Sequence, residues 1–197
     1  MTTFDPRKPT LARLHEVQHA IRDGWIAQYR SGSFIGWWIG GATQGFHSHS
    51  AMLRRNNGAV DVLQIREFQG GNAVPLESQV AKFPGKIDVF SIDAKHFPEF
   101  DGKGAVDYMR VLTGRNYGYW GVVRLALLRV PFLRRLWRFD ADDAHDSGQA
   151  PFCSHAVTSA CRIGGGVDPV PRTPDDLVSP WMLTQSLLVN YEFSLTP

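Results

Sequence analysis

Two cysteines in 197 residues, Cys153 and Cys161, are too few for a disulfide framework. Eight residues apart on one helix, they would stand about 12 Å from each other, beyond the Cα spacing that a disulfide tolerates. Both are expected as free thiols, which suits a reducing compartment. Long apolar runs are also lacking: nothing approaches the roughly 20 residues of a membrane span. The opening MTTFDPRKPT has no apolar core, so no signal peptide is expected and the sequence reads as cytoplasmic. An excess of one charge is missing as well. With 21 basic and 19 acidic side chains the net charge is +2, which argues against nucleic acid as a partner. What is present is ordinary globular composition, 43% hydrophobic and 20% charged, enough to bury a core.

Residues 1–197 read as one α+β domain with a central antiparallel sheet packed against helices. Residues 1–22 read as an N-terminal helical extension and 164–197 as a Pro-rich tail with a short helix near its end. Pro9-Thr10 followed by Leu11, Leu14, Val17 and Ile21 predicts a capped amphipathic helix ending at Asp23-Gly24. WIAQYR predicts a strand. HSHSAMLRR, the turn Asn56-Asn57-Gly58 and AVDVLQIREF predict a hairpin. KIDVFSID predicts a third strand, residues 102–113 a helix, and 118–138 a longer helix interrupted at Pro131. FCSHAVTSACRIGGG predicts a helix stopped by three glycines.

His15-Glu16-Val17-Gln18-His19 fits the H-E-x-x-H pattern of zinc proteases. Stepping about 100° per residue, Leu11, Leu14, Val17 and Ile21 define an apolar face, and both histidines fall opposite it among polar residues. Arg22 stands where the extended motif needs glycine, and no third ligand follows. The pair is expected to face solvent, and no metal or cofactor is expected. His47 and His49 form an H-x-H pair on a predicted strand, where alternate side chains share a face. With no cysteine nearby this is weak as a metal pair and stronger as the source of one catalytic histidine. The acidic loop DADDAHD lacks the glycine and spaced glutamate of a calcium loop.

The most chemically loaded segment is APFCSHAVTSAC. Pro151 and Phe152 place Cys153 in the first turn of a helix. There the unpaired N–H groups and the helix dipole stabilise a thiolate and can hold a developing oxyanion. His155, two residues on, points away on a helix, so a base must come from elsewhere in the fold. Cys161, mid-helix, reads as packing.

At these residues the chain resembles the circularly permuted papain-like hydrolases related to NlpC, in particular the YiiX-like group of bacteria and phages. The resemblance runs from about residue 23 to residue 187, through GFHSHSAML, EFQGGNAVPLESQ, KIDVFSI, NYGYWGVVRL, PFCSHAV and the tail from GGGVDPV to MLTQS. It implies a nucleophile at a helix N-terminus, Cys153, activated by His49. Glu67 is then expected to orient the imidazole, with Gln64 the rival on the other strand face, and Tyr117 to line the oxyanion or substrate side. Asp23-Gly24 reverses the family's Gly-Asp, and His155 replaces its usual acidic residue. The implied activity is cleavage of an amide or peptide bond through a thioester. VVRLALLRVPFLRRLWRF carries five arginines among apolar residues. It keeps open an acyl hydrolase or acyltransferase at a lipid or membrane surface. A catalytically inert phage or prophage interaction module is the third reading.

Overall fold

The computed structural model describes residues 8–30, 46–66, 70–113 and 152–197. Its centre is a seven-stranded sheet: β1 (Leu11–Arg13), β2 (Ile26–Arg30), β3 (His47–Asn56), β4 (Ala59–Arg66), β5 (Gly70–Pro75), β6 (Ile87–Ile92) and β7 (Val189–Thr196). The order is β1-β7-β6-β2-β3-β4-β5. Every neighbouring pair is antiparallel except β1 and β7. The helices are α1 (Leu14–Val17), α2 (Leu76–Lys82), α3 (Gly102–Thr113), α4 (Cys153–Ser159) and α5 (Pro180–Gln185). A π turn, Ala160–Gly164, continues α4. The α+β class with a largely antiparallel sheet therefore stands.

Local chemistry explains the hairpin. Asn57 and Gly58 both adopt positive φ, 48° and 89°, the pair of left-handed residues that a type I′ turn requires. The turn fixes Met52 opposite Leu63 and Asn56 opposite Ala59. Helix α3 occupies the span its sequence predicts, burying Ala105, Val106, Met109 and Leu112. The glycine run after α4 allows close approach: a Cβ on Gly164 would lie 2.4 Å from the Gly104 carbonyl oxygen, where the π turn meets α3.

Both faces of the sheet are covered. Ile26, Met52, Leu63, Ile65, Phe90 and Ile92 pack with residues of α3 and α4. Ala27, Tyr29, Ala51, Leu53, Val62, Ile87 and Val89 pack with Leu14 of α1 and with Leu76 and Val80 of α2. Alternation between bulges assigns these strand residues to one core or the other. Each large apolar side chain fully buried there contributes about 1.5–3 kcal/mol relative to exposure.

Three regions differ from the sequence expectation. The helix predicted from Pro9 is a three-residue strand followed by one helical turn, because Leu11–Arg13 adds to the sheet edge beside β7. The Pro-rich tail ends in an eight-residue strand seated between β1 and β6. GGNAVP and LESQVAK, unassigned from sequence, form β5 and α2. The helix predicted over 118–138, the basic-apolar segment and the acidic loop lie outside the described residues.

Candidate active site

A one-residue bulge decides where the two histidines of β3 point. Tyr29 lies opposite His49, and Arg30 lies opposite His47, so Ser48 is an extra residue without a counterpart on β2. Tyr29 and Arg30 are consecutive and face opposite sides of the sheet. His47 and His49 therefore do so too, and the expectation that they share a face is corrected.

His47 lies on the α3–α4 face. It is fully buried, with Nε2 2.7 Å from Asp88 Oδ2. Its ring stacks on Trp181 of α5 at 5.9 Å and meets the edge of Phe90 at 6.2 Å. Asp88, fully buried, is held from three sides. Arg30 donates from Nε to Oδ2 at 2.7 Å and from Nη2 to Oδ1 at 2.5 Å, and the Ser194 hydroxyl donates to Oδ1. Burial opposes ionisation of Asp88, but the bonds from His47, Arg30 and Ser194 outweigh it and hold the carboxyl below its usual range. Burial also dominates at His47 and, despite Asp88, favours the neutral ring. Beside this cluster the Ser50 hydroxyl donates to Gln28 Oε1 at 2.9 Å, while Gln28 Nε2 is buried and has no hydrogen-bond acceptor among the described residues.

Cys153 is the first residue of α4, after an extended Phe152. It is 4% exposed and packs in the core on the His47 side of the sheet. Ser154, next in α4, donates to the Val178 carbonyl at 2.6 Å, and Val178 lies three residues before the Trp181 that stacks on His47. The start of α4 and His47 thus occupy the same face and the same end of the sheet. His155 stands beside the Phe152 ring at 5.7 Å. Cys161 is fully buried, and burial pushes its thiol pKa up, with Asp175 and Asp168 adding to the effect.

His49 lies on the other face. Its ring is 5.3 Å from that of Tyr29, and its Nε2 is 3.1 Å from Gln64 Oε1. Burial first, then the Arg66 charge, lowers its pKa to about 4, against the Gln64 bond. The structure does not bring His49 to Cys153: the sheet separates them. Of the two residues considered for orienting His49, Gln64 makes the bond, and Glu67 lies outside the described residues, as does Tyr117. The H-E-x-x-H element is not one helix. Helix α1 ends at Val17, so His15 and His19 do not project from consecutive turns, and both are exposed. The signal that sequence reading missed at His47 is Asp88, a lone acidic residue inside KIDVFSI.

An open groove of about 930 Å³ lies at the far end of β6, lined by His19, Trp25, Asp93, His96 and Glu192 among others. Its His96–Asp93 pair, 2.7 Å apart, is at the opposite end of the sheet from both His47 and His49.

No protein-family model matches the chain, and no curated protein matches it. A solved structure does: that of yiiX from Escherichia coli O157:H7, described as a metalloprotein of DUF1105. The TM-score is 0.51 at 16% identity, covering 89% of this chain and 98% of that one. The fold is YiiX-like. At that identity the likeness carries the fold alone. The description of that protein raises the question of a metal here, and the described residues do not fit one. No three His, Cys, Asp or Glu side chains cluster as ligands among them. In the His47–Asp88 pair both carboxylate oxygens are already engaged, and a guanidinium sits where a cation would approach. Among the described residues no helix is long and apolar enough to cross a membrane.

Proposed function

We propose that the chain is a cysteine hydrolase that cleaves an amide or peptide bond, with Cys153 as nucleophile, His47 as base and Asp88 as the group that orients His47. The observation that carries this reading is the 2.7 Å His47–Asp88 pair on the sheet face covered by the helix that begins with Cys153. A histidine strand preceding the cysteine helix also fits the order expected of a permuted papain-like, NlpC-related hydrolase.

Asp88 accepts from Nε2–H, which leaves Nδ1 as the basic nitrogen. In a buried site that favours neutral imidazole, His47 acts by taking the thiol proton as attack begins, rather than as one half of a standing ion pair. Cys153 Sγ bonds to the substrate carbonyl carbon, and the carbonyl electron pair moves to oxygen. Backbone N–H groups of the first turn of α4, and Gln28 Nε2 on the same sheet face, are donors suited to that oxyanion. His47 then gives its proton to the leaving amine as the C–N bond breaks, producing a thioester. Water, deprotonated by His47, cleaves the thioester and restores the thiol. Asp88 stays ionised throughout, held by Arg30, so its role is orientation and charge stabilisation of the imidazolium.

The test is the rate of Cys153 alkylation by iodoacetamide near pH 7.5, followed by intact mass. Removal of a general base costs about a hundredfold or more, so His47→Ala is expected to slow labelling by that order while His49→Ala leaves it near the wild-type rate. Equal rates in wild type and His47→Ala, with both folded by circular dichroism, would overturn the assignment.

A further inference from the structure

The α2 face of the sheet holds a charged group that the proposed chemistry does not use. Arg66 closes β4, and its guanidinium lies 5.8 Å from the centroid of Tyr29 and 5.6 Å from that of Phe83. Its Nε donates to Gln64 Oε1 at 2.9 Å and its Nη2 to Gln79 Oε1 at 3.2 Å. Both acceptors are neutral amides. Among the described residues no carboxylate forms an ion pair with Arg66. A partly buried guanidinium normally takes a carboxylate, because that pairing offsets its desolvation. Here the two glutamines hold Nε and Nη2 instead, and among the described residues no carboxylate completes the fork. Gln64 is fixed in turn by Asn72, which accepts from its Nε2 at 3.0 Å.

A second observation points to the same place. Tyr29, 4% exposed, has a buried hydroxyl with no hydrogen-bond partner among the described residues. Its ring is flanked by His49 at 5.3 Å, by Phe83 at 5.6 Å and by the Arg66 guanidinium. A buried hydroxyl left unpaired destabilises the fold, and phenylalanine would fill the same volume without that cost. Lys82, its Nζ 5.6 Å from the centroid of the Phe83 ring, adds a second positive charge to this side.

From this arrangement we propose that Arg66 and the Tyr29 hydroxyl form an oxyanion-binding site on the sheet face opposite Cys153, taking a phosphate or a carboxylate group of a small ligand. The guanidinium end edge supplies two parallel N–H donors, the geometry that matches two oxygens of either group. Tyr29 supplies a third donor from within the core. The neutral His49 ring and the Phe83 face wall the site without bringing in a competing negative charge.

The experiment is titration of the full chain with inorganic phosphate and, separately, with acetate, at constant ionic strength and pH 7, read by thermal shift and calorimetry. Wild type is expected to bind one of the two saturably, and the stronger arm identifies phosphate or carboxylate as the ligand group. Arg66→Gln is expected to abolish binding. Tyr29→Phe is expected to weaken it about tenfold, the loss of one hydrogen bond to a charged group, while leaving the ligand-free melting temperature equal or higher. The last pairing separates a binding role from a bracing role, since a bracing hydroxyl would lower the melting temperature when removed. Absence of saturable binding of either anion by the wild type, or binding unchanged in both variants, overturns the proposal. Neither result bears on Cys153 labelling, which reads the other face.

Discussion

Acidification tests the two histidines of β3 most directly. The folded chain holds the pKa of His49 at about 4 against an ordinary 6.5, through burial first and the adjacent Arg66 charge second. Between those two values the unfolded chain binds a proton that the folded chain refuses. Stability is therefore full above pH 6.5 and falls as pH drops toward 4. For this one group the linkage relation gives a loss of about 2 kcal/mol at pH 5 and about 3 kcal/mol at pH 4. His47, also shifted down, acts with the same sign and persists when His49 is replaced. Urea unfolding at pH 7 and pH 5, on wild type and on His49→Gln, isolates the His49 share while keeping carboxylate titration small. The expected outcome is that the variant loses about 2 kcal/mol less than wild type on going from pH 7 to pH 5. Losses equal within about 0.5 kcal/mol, the tolerance of additive effects, would refute the claim that the fold keeps His49 neutral. So would a wild type that gains stability on acidification.

Asp88→Asn leaves the Arg30 guanidinium in place while removing the charge it neutralises. Breaking a buried pair from one side costs about 3–5 kcal/mol, and chemical denaturation at pH 7 reads it. Below pH 4 the gap between this variant and wild type is expected to narrow, because the depressed Asp88 pKa contributes stability above the unfolded value and loses it as pH falls through the folded one. Gly71→Ala places a Cβ 2.0 Å from the Thr113 carbonyl oxygen at the end of α3. Backbone must move, with an expected loss of about 1–3 kcal/mol that thermal melting would show; an unchanged melting temperature would mean that Gly71 of β5 does not approach the end of α3 this closely.

The sequence carried the hairpin in full, since Asn57-Gly58 between alternating strands permits few other turns. It also carried α3, β6 and the placement of Cys153 at a helix start, because each depends on periodicity or capping within a dozen residues. It did not reveal that VNYEFSLT closes the tail as a strand between β6 and a three-residue β1. Those partners lie about 100 and 180 positions away, and nothing local in the tail specifies them. Nor did sequence separate His47 from His49, and the resemblance pointed to His49. Period-two alternation puts both on one face, and a single unpaired residue, Ser48, puts them on two. A bulge arises from how β3 meets β2, so it leaves no mark on the spacing of either strand alone. The residue types needed for a Cys-His-Asp arrangement were present in the sequence. Which histidine faces Cys153's side of the sheet, and which faces Arg66, was settled only when the strands paired.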